Sequence, residues 1–157
     1  MYRHYTPTYG PLSGEGARRQ GGRWNPPDSV SVLYTASDTD TVDAEFGRQL
    51  ALARVAPTSV RPRQLATLRV RLQRILDLRE PEALDALGVT MDDLMADDPS
   101  LTRAIGEAAQ HLGYEAIVAP SAAGGPGHVV ALFMTNRAPA SSIELLSVER
   151  YVRREGT

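Results

Sequence analysis

Two short apolar runs near the C-terminal end, residues 116–119 (AIVA) and 129–134 (VVALFM), are joined by a Pro/Gly-rich loop at 120–127 and not by a helix. Both read as buried strands. That junction weighs against a repeating strand–helix–strand series, whose parallel strands need a crossover between them. Residues 29–36 (SVSVLYTA) are β-rich. Residues 65–72 alternate Thr67, Arg69 and Arg71 with Ala66, Leu68, Val70 and Leu72, a half-buried strand, and 75–78 prolong the sheet. Residues 1–9 hold a first short strand and 143–152 a last one. A helix is predicted over 41–54, with N-cap candidates at 37–40 and Val42, Phe46, Leu50 and Ala53 on one arc. A short helix over 81–87 stops at Gly88. Another starts at Ser100 as N-cap and runs through Ile105 and Leu112 to Gly113. Residues 10–22 read as a glycine-rich loop, and Asp92, Asp93, Asp97 and Asp98 as a solvated acidic loop. Strands segregated from a few helices predict an α+β fold. The 157 residues suit a single domain spanning 1–157.

The residue types present exclude several chemistries. Cysteine is absent, so there is no disulfide scaffold, thiolate zinc site or cysteine nucleophile, and a reducing cytoplasm is permitted. All 17 basic residues are arginine, which removes Schiff-base and Walker-type lysine chemistry. His4, His111 and His128 lack metal-ligand spacing, so no metal is expected. No apolar run reaches membrane-spanning length, and residues 1–5 carry no apolar signal core. Residues 1–79 hold 12 Arg against 7 acidic residues, and 80–157 hold 5 against 12. The basic half suits an anionic ligand. Arg61, Arg63, Arg69, Arg71 and Arg74 could mark a nucleic-acid-binding module. That segment contains no aromatic residue to stack on bases, so no direct nucleic-acid partner is expected.

Residues 12–45 carry the chemistry. Gly14-x-Gly16 is followed by Arg19 where a dinucleotide-binding Rossmann loop has its third glycine, so that motif fails. A glycine-rich loop still lets backbone approach a ligand closely. Arg23 beside it can grip phosphate oxygens with two prongs. Tyr34 ends a strand. Glu45 lies on the margin of the helix's apolar arc, where a carboxylate is either capped by an arginine or functional.

The series LSGEGA (12–17), GGRWNPP (21–27), VLYTAS (32–37) and Ala44-Glu45 is similar to the N-terminal signature of the RES domain. VAPSA (118–122), with its Gly-rich loop and apolar strand, resembles that family's C-terminal signature. The resemblance implies a fold like that of ADP-ribosyltransferase toxins: mixed β-sheets with a few flanking helices. It implies a cytoplasmic toxin that binds NAD as substrate and cleaves its nicotinamide–ribose bond. The acceptor is water or inorganic phosphate, or alternatively a protein, which would make the chain a mono-ADP-ribosyltransferase. An Xre-like antitoxin is the implied partner, occluding the active site. The family's arginine, glutamate and serine match Arg23, Glu45 and Ser121, with Arg3 and Tyr34 as further matches. The chain departs from the family pattern at His4 and His128, where tyrosine and asparagine are common. On this reading Glu45 faces the ribose, where positive charge develops. Arg23 and Arg3 hold the pyrophosphate, Tyr34 offers a flat surface to the ring, and Ser121 hydrogen-bonds nicotinamide or ribose.

Overall fold

The computed structural model describes residues 1–153; the last four residues of the expected single domain lie outside the described residues. Seven strands and five α-helices form in the order β1 (Tyr2–Tyr5), α1 (Glu15–Gln20), β2 (Val32–Ala36), α2 (Thr39–Leu52), β3 (Arg63–Arg71), β4 (Ile75–Asp77), α3 (Pro81–Leu87), α4 (Met91–Met95), α5 (Ser100–His111), β5 (Ala116–Pro120), β6 (His128–Phe133) and β7 (Ser142–Tyr151). The strands make one sheet in the order β4-β5-β6-β2-β1-β3-β7. Among the described residues only β4 and β5 pair in parallel, so the sheet is mixed and the expected α+β class holds. The loop at 120–127 does join two neighbouring antiparallel strands, β5 and β6.

The sheet has a crease. β2 pairs with β6 over five residues, but β1 meets β2 at one register pair, Tyr2 with Ala36. One buried cluster collects Tyr5, Ala66 and Leu68 from one side of this seam and Leu33, Ala116, Val118, Val130 and Leu132 from the other. Among the described residues no helix contributes to that cluster. Such complete burial without a helical cover follows if the two wings of the sheet turn toward each other. The outer face of the β5–β6–β2 wing packs Trp24, Val32, Ala131 and Phe133 against Ile105 and Ala109 of α5. The outer face of the other wing meets α2, whose buried Val42, Phe46 and Leu50 recur every fourth residue. Each such side chain contributes about 1.5–3 kcal/mol when buried.

Two expected loops contain helices. Residues 15–20 form α1, held by Glu15, whose carboxylate accepts from Arg18 at 2.7 Å and Arg19 at 2.7 Å. These are three- and four-residue spacings that support even a short helix. Part of the acidic loop is α4, opened by a capping box in which the Thr90 hydroxyl and the Asp93 carboxylate serve each other's backbone amides. The remaining acids have separate partners: Asp97 pairs with Arg48, and Asp98 accepts from Ser100. Helix α2 starts two residues earlier than expected because Asp38 is its N-cap, accepting from the Thr41 amide at 2.7 Å. Pro99 takes the N-cap place expected of Ser100.

Candidate active site

The C-terminus of β5 and the helix α2 meet at one carboxylate. Ser121, 1% exposed and one residue past β5, donates its hydroxyl to Glu45 Oε1 at 2.6 Å. The Ala123 amide donates to the same oxygen at 3.3 Å and to Ser121 Oγ at 3.2 Å. Among the described residues both bonds to Glu45 fall on Oε1, and no arginine forms an ion pair with it. The carboxylate on the arc margin is therefore held by a hydroxyl and an amide, both on Oε1. The close approach depends on Gly127, where a Cβ would collide with Thr41 Oγ1 at the start of α2. Gly127→Ala is expected to push the 120–127 loop off α2, cost about 1–3 kcal/mol and lower activity further through the displaced Ser121. Thermal melting and turnover on one preparation check both effects.

The Gly21–Asn25 turn is fixed from two sides. Gly22 lies against the Tyr34 ring so closely that a Cβ would strike its hydroxyl. The Trp24 amide donates to that hydroxyl at 2.8 Å, which in turn donates to Asn25 Oδ1 at 2.8 Å. Asn25 is fully buried and also donates to the carbonyls of Ala17 and Pro26. From α5, Arg103 donates to the Gly22 carbonyl at 2.9 Å, and Gly106 abuts the Trp24 carbonyl where no Cβ fits. Burial pushes the Tyr34 phenol well above its ordinary pKa, so it remains a proton donor. The hydroxyl thus braces the turn, while the residue as a whole stays partly exposed.

Arg23, carried by that turn, donates to the carbonyls of Leu94 and Ala96, both at 2.9 Å. A guanidinium has five N–H donors, so three remain for a ligand. Burial lowers the Arg23 pKa and the charge of Arg48 lowers it further, with Glu45 and Asp97 acting in the opposite sense. Arg23, Arg48 and Glu45 are thus electrostatic neighbours.

Arg3 stands apart from this group. Pairing with Ala66 puts it with Tyr5 on the inner face of the crease, while Tyr2 and His4 face α2. Its guanidinium donates to the Pro11 carbonyl at 3.1 Å and lies 5.9 Å from the Tyr5 ring. Burial, then Arg63, bring its pKa down to about 10, against the pull of Tyr5. The structure therefore joins Glu45 to Ser121 and ties Tyr34, which lies in the middle of β2 and not at its end as expected, to the turn that carries Arg23; among the described residues Arg3 bonds Pro11 and none of these four.

The two departures from the family pattern have separate surroundings. His4 packs at a tilt on Phe46 at 4.2 Å, stacks on Tyr151 at 5.2 Å and accepts from Arg63 Nε at 2.6 Å. Burial, then Arg63 and Arg3, hold its pKa at about 3, so it is neutral at physiological pH. The His128 amide donates to Ser37 Oγ, and its carbonyl accepts from the Ser37 amide. Three of the arginines of 61–74 have partners within the fold: Arg63 bonds His4, Arg69 pairs with Glu144, and Arg74 lies over the Tyr114 ring.

The RES domain model matches residues 1–153. The NAD(+) phosphorylase MbcT of Mycobacterium tuberculosis (strain ATCC 25618 / H37Rv) is 38% identical over 130 residues, covering 82% of this chain and 69% of that protein. A probable NAD(+) phosphorylase of the same organism, Rv3189, is 33% identical over 123 residues, 78% of this chain and 58% of that one. In the crystal structure of the M. tuberculosis MbcT–MbcA toxin–antitoxin complex, one chain superposes with a TM-score of 0.83 at 32% identity. The match covers 97% of this chain and 83% of that one. With both signatures folded around one carboxylate and these relatives over most of its length, the chain belongs to the RES domain family.

Proposed function

We propose that this chain binds NAD and cleaves its nicotinamide–ribose bond with inorganic phosphate as acceptor, acting without a metal in the cytoplasm as the toxin of a toxin–antitoxin pair. The observation that carries this reading is Glu45, a carboxylate oriented by Ser121 and Ala123 with no cation paired to it among the described residues. Relatives named NAD(+) phosphorylase support the same chemistry. Nicotinamide leaves NAD as a neutral group, so no general acid is required. Positive charge gathers on the ribose, and Glu45 Oε2 opposes it. The three remaining N–H groups of Arg23 serve the pyrophosphate, the Tyr34 ring supports the nicotinamide, and Ser121 holds Glu45 in place. Arg3, on the inner face of the crease, serves the far phosphate of an extended dinucleotide.

Incubating purified protein with NAD, with and without phosphate, and identifying the products by mass spectrometry tests this. A phosphorylated ADP-ribose formed only with phosphate is the expected result. Free ADP-ribose in both arms would replace phosphorolysis by hydrolysis, and a modified protein would make the chain a transferase. Arg23→Lys keeps the charge but loses the planar two-pronged contact. NAD binding and turnover should both fall, with a small drop in melting temperature because one carbonyl contact goes; unchanged kinetics would move the pyrophosphate elsewhere. The likeness to a toxin–antitoxin complex extends the proposal to a partner that occludes the site. Expression of this chain alone should arrest growth, and harmless overproduction of soluble, folded protein would count against it.

A further inference from the structure

Phosphorolysis needs a place for phosphate beside the ribose, and Arg48 lies close to the carboxylate assigned to it. It stands three residues after Glu45 on α2, so the two side chains lie one above the other on one face of the helix. Its side chain is only 17% exposed, yet its ion-pair partner, Asp97 at 2.6 Å, is 76% exposed. Arg23 reaches the same short segment through the carbonyls of Leu94 and Ala96. Two guanidinium groups therefore converge on residues 94–97, next to the carboxylate assigned to the ribose. The pair repel each other, as the lowered pKa of Arg23 reflects after burial. A doubly charged anion between them would relieve that repulsion, and the fork of a guanidinium matches phosphate oxygens. A pair to a mostly exposed carboxylate is worth little and is readily exchanged.

We propose that Arg48 binds the inorganic phosphate of this reaction and that Asp97 occupies its guanidinium when phosphate is absent. The inference rests on the phosphorolysis reading. In the step it serves, a phosphate oxygen forms a bond to the ribose C1 that carries nicotinamide. The C1–N bond breaks, and its electron pair passes to the ring nitrogen, which leaves neutral. Any proton left on the phosphate stays with the monoester product or passes to solvent. Arg48 positions the nucleophile, and Glu45 offsets the charge on the ribose it attacks.

The test compares wild type, Arg48→Gln, Arg48→Lys and Asp97→Asn in two assays: calorimetric titration of inorganic phosphate into the free protein, and kinetics with phosphate varied at saturating NAD. Arg48→Gln should raise the KM for phosphate about ten-fold or more, the worth of a charge-assisted hydrogen bond. It should leave the KM for NAD near wild type and shift products toward free ADP-ribose. Arg48→Lys should recover part of the phosphate affinity, and Asp97→Asn should tighten it by removing the competitor. A folded Arg48→Gln protein with unchanged phosphate affinity and phosphate KM would overturn the proposal, as would a loss confined to melting temperature. If wild type leaves NAD intact, the phosphorolysis reading fails, while the calorimetric arm still decides whether Arg48 binds phosphate.

Discussion

Glu45→Gln is expected to lower the turnover of NAD about a hundred-fold or more while the protein stays folded, because one preorganised electrostatic partner of the transition state is lost. The structure says why the fold should survive. The bonds from Ser121 and Ala123 both fall on Oε1, and a glutamine oxygen can accept both, though without the help of a charge. Glutamine is also nearly as good a helix former as glutamate. No arginine is left unpaired, because none pairs with Glu45 among the described residues. NAD affinity should fall less than turnover, since the full ribose charge exists only near the transition state. Turnover, NAD affinity and thermal melting on one preparation separate the cases. A variant that melts early yet cleaves NAD at near wild-type rate while folded would leave Glu45 a structural role only.

Glu115→Ala should have the largest effect on stability. Glu115 is 2% exposed and joins two turns. Its carboxylate accepts from the amides of Gln73 at 2.7 Å and Arg74 at 2.9 Å, before β4, and from Ala138 at 2.9 Å, between β6 and β7. Removing it strands three amides at the end of the β4–β5–β6 wing. The expected cost is about 3 kcal/mol or more, which lowers the melting temperature by on the order of 10 °C. Burial raises the pKa of this carboxyl, but the donors around it, these amides among them, outweigh burial and bring it to about 2. The folded value lies below the ordinary one of 4.5. Its contribution is therefore complete above that ordinary value and drains away as pH falls toward about 2. Wild type should lose stability across that window, and Glu115→Ala should lose less. Equal acid sensitivity in the two proteins would contradict this account.

Strands and long helices were legible because their signals are local. The period of Val42, Phe46 and Leu50 is visible in the chain itself, as is the alternation of β3. The crease was not legible: it depends on β1 and β2 sharing one register pair, a long-range fact without a local sign. α1 was hidden by glycines on either side, although the spacing of Glu15 to Arg18 and Arg19 carried the signal. α4 was hidden by its charge, although Thr90-x-x-Asp93 is a capping pattern. The motif residues Glu45 and Ser121 were found one by one, but only folding shows that the first is held by the second. Arg48 was missed because its meaning comes from Asp97, far along the chain, and from the turn bearing Arg23. Glu115 was missed because a lone glutamate before a strand looks like surface, and its amide partners come from two distant turns.

The most direct test of the central claim is the release of nicotinamide from NAD by the purified chain, followed over time beside the folded Glu45→Gln variant. The account predicts steady, catalytic release by wild type, matched mole for mole by an ADP-ribosyl product, and almost none by the variant. Intact NAD in the presence of folded wild-type protein and phosphate, or equal release by both proteins, would contradict it.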